Sequence, residues 1–328
     1  MPTRRTALLM LAGGAIAATR VRAASKSLRV LHAADVHVAG YPTVEAVGWI
    51  GERLSAATGG ELGIHVYHSG QLGREQDTVE MARFGAIDLT RVNFAPLTNA
   101  FPLTGVAALP YVFHSVEHMR RAMDGEPGRR ILADFARRDL VGLAIYDSGV
   151  RCVYNVRRAI HTPQDLKGLK IRVPPSDIFI DIGRALGANP TPLSFGEVYS
   201  SLQTHLIDGA ENNIRSFHSS RQFEVARYWS ETRHSYSPEA LLLSRRSFEA
   251  LGADVQELLL RLGTESVPVM RAAWDEAERV SRSAVLDAGV QINEVQLAEF
   301  TQATRPMVEA RLAAPELRRL YEDIQALA

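Results

Sequence analysis

The chain has 328 residues, 46% of them hydrophobic, and its 37 basic side chains equal its 37 acidic ones in number. This composition is that of an ordinary soluble protein, long enough to bury one large core or two smaller ones. The balanced charge provides no basic stripe to neutralise phosphates, which argues against nucleic acid as a partner. The single cysteine, Cys152, excludes an intrachain disulfide.

The first 23 residues predict an export signal. Arg4 and Arg5 precede an apolar run at 7–18, and residues 21–23 offer a small-residue cleavage site. The run is shorter than the about 20 apolar residues of a membrane span, and no later segment qualifies. Removing residues 1–23 leaves 33 basic and 37 acidic side chains, a net charge near −4. We therefore expect a periplasmic protein, cleaved near Ala23 and exported by either the general or the twin-arginine route.

The first part of the mature chain alternates strands with helices. We predict strands at 28–33, 62–66 and 87–92, and helices at 42–57 and 75–84. Pro42 suits the first position of a helix, and Gly85 suits the residue after the end of one. Strands that alternate with helices of 10–15 residues predict an α/β fold with a largely parallel sheet.

A second α/β unit follows residues 147–149. We predict a strand at 170–173, a helix at 177–186, a capping box at 194–197 that opens a helix through 206, and a strand at 207–211. From about residue 248 the chain is predicted to be almost entirely helical, with one helix extending to 287. Two α/β units in one exported chain predict two lobes separated by a cleft.

Two arginines are placed by this pattern at the predicted cleft. Leu169, Ile171 and Val173 alternate, which puts Arg172 on the opposite face of its strand. A solvated face is one interpretation, but ligand sites gather at the carboxyl ends of such strands. Arg151 follows the predicted crossing between lobes, although it could instead pair with Asp147 or another acid. Two guanidinium groups facing one cleft would suit a carboxylate, which each can hold through two hydrogen bonds.

Four ordered motifs carry a resemblance to a known family: SGQLGREQDTVEMARFGAIDL at 69–89, ALPYVF at 108–113, DLKGLKIRVPPSD at 165–177 and ALGANPTPLSFGEVYSSLQTHLIDGAENN at 185–213. With these motifs the mature chain resembles the DctP-type solute-binding proteins of tripartite ATP-independent periplasmic (TRAP) transporters.

The resemblance implies a two-lobed α/β periplasmic binding protein, or Venus flytrap, with discontinuous lobes and a long helix spanning them. The expected N-terminal lobe comprises 24–148 and 238–277, and the expected C-terminal lobe 149–237 and 278–328. It also implies a monomer that is not an enzyme, needs no cofactor or metal, and delivers its solute to a TRAP membrane permease.

The resemblance also assigns a carboxylate site. Arg172 matches the family arginine that forms the principal salt bridge with the ligand, and Arg151 matches its second common arginine. Asn212 matches the binding asparagine, although it could merely cap a turn, a role that better suits Asn213. Phe195 matches a ring that often lines the pocket.

Three further positions, His37, Glu75 and Asn93, match those that commonly touch the distal part of the ligand. The stretch HAADVHVAGYPTVEA at 32–46 looks most like the branch that binds hexuronates such as D-glucuronate and D-galacturonate. Another carboxylate remains the alternative: an aldonate, a C4-dicarboxylate, sialic acid or a 2-oxoacid. Delivery to a sensor partner is also open.

Other patterns indicate different chemistry. Residues 114–118 fit H-x-x-E-H, in which two histidines would share zinc, but Ser115 suits a helix N-cap that would separate them. Cys152 beside Arg151 could be a stabilised thiolate or simply a small buried residue. A periplasmic hydrolase of sugar acids would need an acid and a base, for which Glu75 and Glu211 are the candidates.

Overall fold

The computed structural model describes residues 28–236 and 238–328. The predicted signal peptide and its cleavage site lie outside the described residues. Within those residues, no helix combines the length and apolar content needed to cross a membrane.

The strands are β1 (Arg29–Ala34), β2 (Leu62–Tyr67), β3 (Leu89–Asn93), β4 (Leu140–Tyr146), β5 (Arg151–Asn155), β6 (Lys170–Val173), β7 (Asn189–Pro192), β8 (Gly209–Asn212), β9 (Tyr228–Ser235), β10 (Glu239–Ser244) and β11 (Gln291–Asn293). The helices are α1 (Pro42–Ala57), α2 (Glu75–Phe84), α3 (Pro102–Ala108), α4 (Val116–Asp124), α5 (Glu126–Asp134), α6 (Asp177–Ala185), α7 (Val198–Gln203), α8 (Ile214–Ser219), α9 (Arg245–Glu249), α10 (Ala253–Asp287), α11 (Leu297–Arg311) and α12 (Pro315–Gln325).

The strands form two sheets, one for each lobe. The first has the order β2-β1-β3-β10-β4, and the second has the order β11-β9-β5-β8-β6-β7. Large apolar side chains pack on both faces of each sheet, so each lobe has its own core. The predicted two-lobed α/β architecture is confirmed.

Each sheet is largely parallel, as predicted, with a single strand that runs against the others. In the first sheet β10 runs antiparallel to β3 and β4, and in the second β5 runs antiparallel to β8 and β9. Parallel neighbours require a crossover connection within one sheet. Both β5 and β10 instead enter their sheet directly from the other lobe.

The chain passes between the lobes after β4, after β9, along α10, and along α11, whose Phe300 lies in the core of the second lobe and whose Val308 lies in the core of the first. The N-terminal half of α10 packs against α1 and β4 through side chains such as Leu259 and Met270. Near its C-terminal end, Val285 lies in the core of the second lobe. This 35-residue helix is the predicted spanning helix.

The last two helices pack on different lobes. α11 contacts α6 and β9, whereas α12 contacts α3 and α5. Leu320 and Ile324 of α12 are fully buried in the core of the first lobe. The sequence analysis assigned the residues of α12 to the C-terminal lobe. In the structure α12 packs on the first lobe instead, because its apolar face is buried there. The remaining boundaries stay a prediction.

Candidate functional site

A cavity of about 320 Å³ lies in the cleft and is lined by residues from both lobes. All seven side chains predicted from the sequence line it: His37, Glu75, Asn93, Arg151, Arg172, Phe195 and Asn212. The structure therefore brings the whole predicted set together at one place.

Arg172 is a buried cation without an acidic partner. Its side chain is 3% exposed, and its Nε donates a hydrogen bond to the carbonyl oxygen of Leu193 at 2.8 Å. Burial lowers the pKa of Arg172 to about 10, which still leaves the guanidinium protonated at neutral pH. Of the three buried arginines among the described residues, the others being Arg91 and Arg151, only Arg172 has no carboxylate within 4.0 Å. The interpretation of a solvated strand face does not hold.

Arg151 is paired with an acid, and that acid is Glu211. Its Nε and Nη2 donate to the two carboxylate oxygens at 2.6 and 2.7 Å, and its Nη1 donates to Asn212 Oδ1 at 3.1 Å. Asp147 accepts instead from Arg120 and Arg271. The charge of Arg151 is thus balanced within the protein.

Glu211 also contacts His234 Nε2, at 3.2 Å. Burial would raise the pKa of Glu211, but the attraction of Arg151 and the hydrogen bond with His234 outweigh it and lower the pKa. A lowered pKa suits a permanently ionised partner of Arg151 and does not suit a general acid. The hydrolase alternative therefore loses one of its two candidate residues.

The two asparagines after β8 have separate roles. Asn213 caps α8, its side chain accepting from the Ser216 N–H at 2.7 Å. Asn212 Oδ1 accepts from Arg151, whereas no acceptor among the described residues lies within hydrogen-bond distance of its Nδ2. Asn212 can therefore donate into the cavity.

The first-lobe wall of the cavity is organised by Arg91, which the sequence analysis missed. Its guanidinium contacts Asp35, Glu75 at 3.0 Å and Glu239 at 3.1 Å. Glu239 also accepts from Ser148 Oγ at 2.9 Å. Burial would raise the pKa of Glu239, but Arg91 and the other partners lower it to about 2.

The polar residues predicted on this wall are fixed by the same network. Glu75 Oε1 accepts from Arg91 and from the Asn93 N–H, each at 3.0 Å. Asn93 Oδ1 accepts from the Ala95 N–H at 2.9 Å. These contacts fix one oxygen of Glu75 and the side-chain oxygen of Asn93 within the first lobe.

Two rings hold His37 at the cavity. His37 stacks on Tyr41 with ring centroids 3.7 Å apart, and Phe195 from the other lobe packs against His37 in a T-shaped arrangement with ring centroids 5.1 Å apart. The Nδ1 atom of His37 is buried with no partner among residues 28–236 and 238–328. Among the fully buried side-chain polar atoms of the described residues that line this wall, it is the one without a hydrogen-bond partner.

The lobes touch across the cleft. Gln76 Nε2 of the first lobe donates to the Pro175 carbonyl oxygen of the second at 3.0 Å. The Tyr41 hydroxyl lies 2.9 Å from Ser216 Oγ. These direct contacts describe a closed conformation.

Asp35, Arg91 and Glu239 were missed by the sequence analysis for different reasons. Asp35 directly follows β1, and Arg91 interrupts the apolar β3, so an isolated charge in a predicted buried strand was an available signal. Glu239 begins an apolar strand whose sequence, EALLLS, does not distinguish strand from helix. Its place in the cleft follows only from the chain crossing.

The competing patterns have structural roles. α4 begins after Ser115, which accepts from the His118 N–H as an N-cap. His118 Nδ1 accepts from the His114 N–H, and its Nε2 contacts the Ile324 carbonyl oxygen. No group of three or more potential metal ligands occurs among the described residues. Cys152 is fully buried, and burial raises the pKa of its thiol, which excludes the stabilised thiolate.

Comparison with known proteins identifies relatives over nearly the whole chain. Residues 33–314 match the family described as bacterial extracellular solute-binding protein, family 7. A solute-binding protein of Chromohalobacter salexigens is 36% identical over 293 residues, which cover 89% of this chain and 87% of that protein.

Two solved structures are similar along their full length. A TRAP periplasmic solute-binding protein of Bradyrhizobium sp. BTAi1, in complex with D-galacturonate, is 46% identical with a TM-score of 0.89, covering 91% of this chain and 100% of that one. One from Roseobacter denitrificans with bound β-D-glucuronate is 39% identical with a TM-score of 0.88, covering 91% and 99%.

Proposed function

Because the chain belongs to the bacterial extracellular solute-binding proteins of family 7, we propose that it is a periplasmic receptor for a hexuronate. The ligand is D-glucuronate or D-galacturonate, and the receptor delivers it to a TRAP membrane permease. The family consists of binding proteins, so the protein is not an enzyme. We also propose that the protein carries an export signal that is cleaved near Ala23, and that the mature protein is a monomer.

The observation that carries the proposal is the unpaired, buried charge of Arg172. Burying a cation is costly unless an anion compensates it. Arg172 lines the cavity and has no carboxylate partner among the described residues. A ligand carboxylate would supply the missing charge through two parallel hydrogen bonds. Asn212 Nδ2, and Arg151 behind it, complete the anion site.

The opposite wall suits a sugar. Glu75 and Glu239 present acceptor oxygens, and His37 and Asn93 add polar atoms, so several hydroxyl groups can be satisfied. Phe195 offers an apolar surface for a ring face. The solved structures with bound galacturonate and glucuronate support the choice of a hexuronate over other acids.

In mechanism, an open protein binds the carboxylate on the second lobe, and the first lobe then closes over the hydroxyls. Closure expels water, which strengthens each polar contact. The contact from Gln76 to Pro175 holds the closed state, and the closed surface is what the permease recognises.

A thermal-shift screen tests the function. The mature protein would be heated with hexuronates, aldonates, C4-dicarboxylates, sialic acid and 2-oxoacids, since a ligand at 100 times its Kd stabilises by about 2.7 kcal/mol. We expect a large shift with glucuronate or galacturonate. A shift with a different acid alone would support the carboxylate site but contradict the assignment of a hexuronate as the ligand. The absence of a shift with every acid would contradict the assignment as a solute receptor.

A further inference from the structure

The two walls of the cavity carry opposite charge. On the second lobe, Glu211 balances Arg151, so Arg172 contributes one uncompensated positive charge. On the first lobe, the single charge of Arg91 faces three carboxylates, those of Asp35, Glu75 and Glu239. The first-lobe wall therefore has a net negative charge.

No other described lysine or arginine corrects this imbalance from inside the cavity, where the nearest further base is His37, whose Nε2 lies 3.9 Å from Glu239 Oε1. Arg74 lines the mouth, but its side chain is 62% exposed and pairs with Asp77 at 2.8 Å. Glu197, also at the mouth, is exposed and adds a further negative charge. The unpartnered His37 Nδ1 is polar and buried on the same wall, which marks this wall as one that meets a ligand.

We propose that the cavity accepts an acid with a single carboxylate and rejects diacids, and that Glu239 is a residue that sets this discrimination. The inference rests on the proposed function, since it concerns the same cavity, and it defines which acids that cavity admits.

The chemistry of the two walls gives the reason. Ionised carboxylates only accept hydrogen bonds, so they suit the hydroxyl groups of a sugar acid. A second ligand carboxylate would set acceptor against acceptor and like charge against like charge. At an effective dielectric constant of about 20, a like charge about 6 Å away weakens binding by about 100-fold.

Glu239 is suited to this role by its position. It lines the cavity, is 2% exposed, and begins β10 where the chain returns from the second lobe. Its oxygens are held by Arg91 and Ser148. After a Glu239→Gln substitution, Arg91 would keep Asp35 and Glu75 as partners, so the wall would lose charge without leaving a buried cation unpaired.

Competition calorimetry on the mature protein tests the proposal with D-glucuronate, D-gluconate and D-glucarate. Gluconate and glucarate differ at one end only, where a hydroxymethyl group is replaced by a carboxylate. We expect glucarate to bind at least about 100-fold more weakly than glucuronate, by the charge argument above. Binding of glucarate within about tenfold of glucuronate would overturn the inference and leave the proposed function intact.

The other outcomes separate the two proposals. If the protein binds gluconate but neither glucuronate nor glucarate, the proposal of a hexuronate ligand is wrong and the inference of a single-carboxylate ligand is supported. Binding of glucarate without glucuronate, or no binding of any probe, would overturn both.

Charge variants test the cause. Glu239→Gln should narrow the ratio of glucuronate to glucarate affinity by about tenfold or more, because one like charge is removed. Glu75→Gln should act in the same direction and serves if the first variant does not fold. Glu257→Gln removes the same charge from an exposed position of α10 outside the cavity, where water screens it, and should leave the ratio unchanged. If the ratio of glucuronate to glucarate affinity is unchanged in both Glu239→Gln and Glu75→Gln, the discrimination against diacids does not arise from the charge of this wall.

Discussion

The properties of Arg172 come from what surrounds its side chain. The neighbouring Lys170 is exposed on the same strand, whereas Arg172 is buried at the cavity with only a carbonyl oxygen as partner. The alternation of the strand placed both residues on one face, but it could not distinguish their burial. That difference depends on the loop that carries Leu193 and on closure of the first lobe.

Replacing Arg172 tests the carboxylate site. Charged hydrogen bonds contribute about 1.5 to 3 kcal/mol each, so Arg172→Ala should weaken hexuronate binding by roughly 100-fold or more. Arg172→Lys keeps the charge but loses the planar pair of donors, and should also weaken binding strongly. Calorimetry measures both, with Arg184→Lys, at a side chain 69% exposed, as the control. Near-normal binding by Arg172→Lys would contradict the bidentate contact.

Glu239 gives the protein a predictable acid sensitivity. Its pKa in the folded protein is lowered to about 2 from the ordinary value of 4.5, so it stabilises the fold above about pH 4.5 and loses that contribution as the pH falls towards 2. Between pH 7 and pH 3 the loss is about 2 kcal/mol. Urea unfolding at both pH values should show that Glu239→Gln loses about this much less stability than the wild type. An equal loss in both would contradict the assignment.

At the scale of elements, local sequence signals determined the helix ends well. α1 begins at Pro42 and α2 ends before Gly85, whose φ of 74° favours glycine, and both helices have the predicted bounds. β3 lies two residues later than predicted at its start, and α7 ends at Gln203 instead of 206. No proline or glycine marks those ends.

The antiparallel pairing of β10 with β4 could not be predicted from such local signals. β4 and β10 are nearly continuous apolar runs, LVGLAIY and EALLLS, without the alternation that identifies a half-buried strand. Their pairing depends on contacts between residues about 100 positions apart. The positions of Glu239 and Arg91 in the site depend on that pairing, so they required the structure.

One glycine in β8 controls the placement of the two site residues that follow it. A Cβ at Gly209 would lie 2.4 Å from the Tyr154 carbonyl oxygen of β5, so Gly209→Ala must push the strands apart. We expect a loss of about 1–3 kcal/mol in unfolding free energy, and weaker hexuronate binding because Glu211 and Asn212 move. Urea unfolding and calorimetry measure these effects.

The matched control is Gly48→Ala in α1, where nothing lies within 4 Å of the added Cβ. There the helix should gain up to about 1 kcal/mol, with unchanged binding. If Gly48→Ala and Gly209→Ala change stability and hexuronate binding equally, the close approach of β5 at Gly209 is not what requires a glycine there.

For the whole molecule, the direct contacts across the cleft connect affinity to closure. Gln76→Ala removes the bond to Pro175 without touching either core, so dissociation of the hexuronate should accelerate several-fold at constant stability. Stopped-flow displacement measures the rate. Gln71→Ala, at an exposed side chain of the same segment, should leave it unchanged, and equal acceleration in both variants would argue against a closing contact.

The position of β10 has a consequence for how the chain is made. β10 lies between β3 and β4, and β4 has no other strand neighbour in the described part of the sheet. During synthesis the first lobe therefore remains unfinished until residue 244 has left the ribosome, after all but the last strand of the second sheet. For most of its synthesis the polypeptide therefore lacks a complete first sheet, so the second lobe can assemble most of its sheet before the first lobe can close its own.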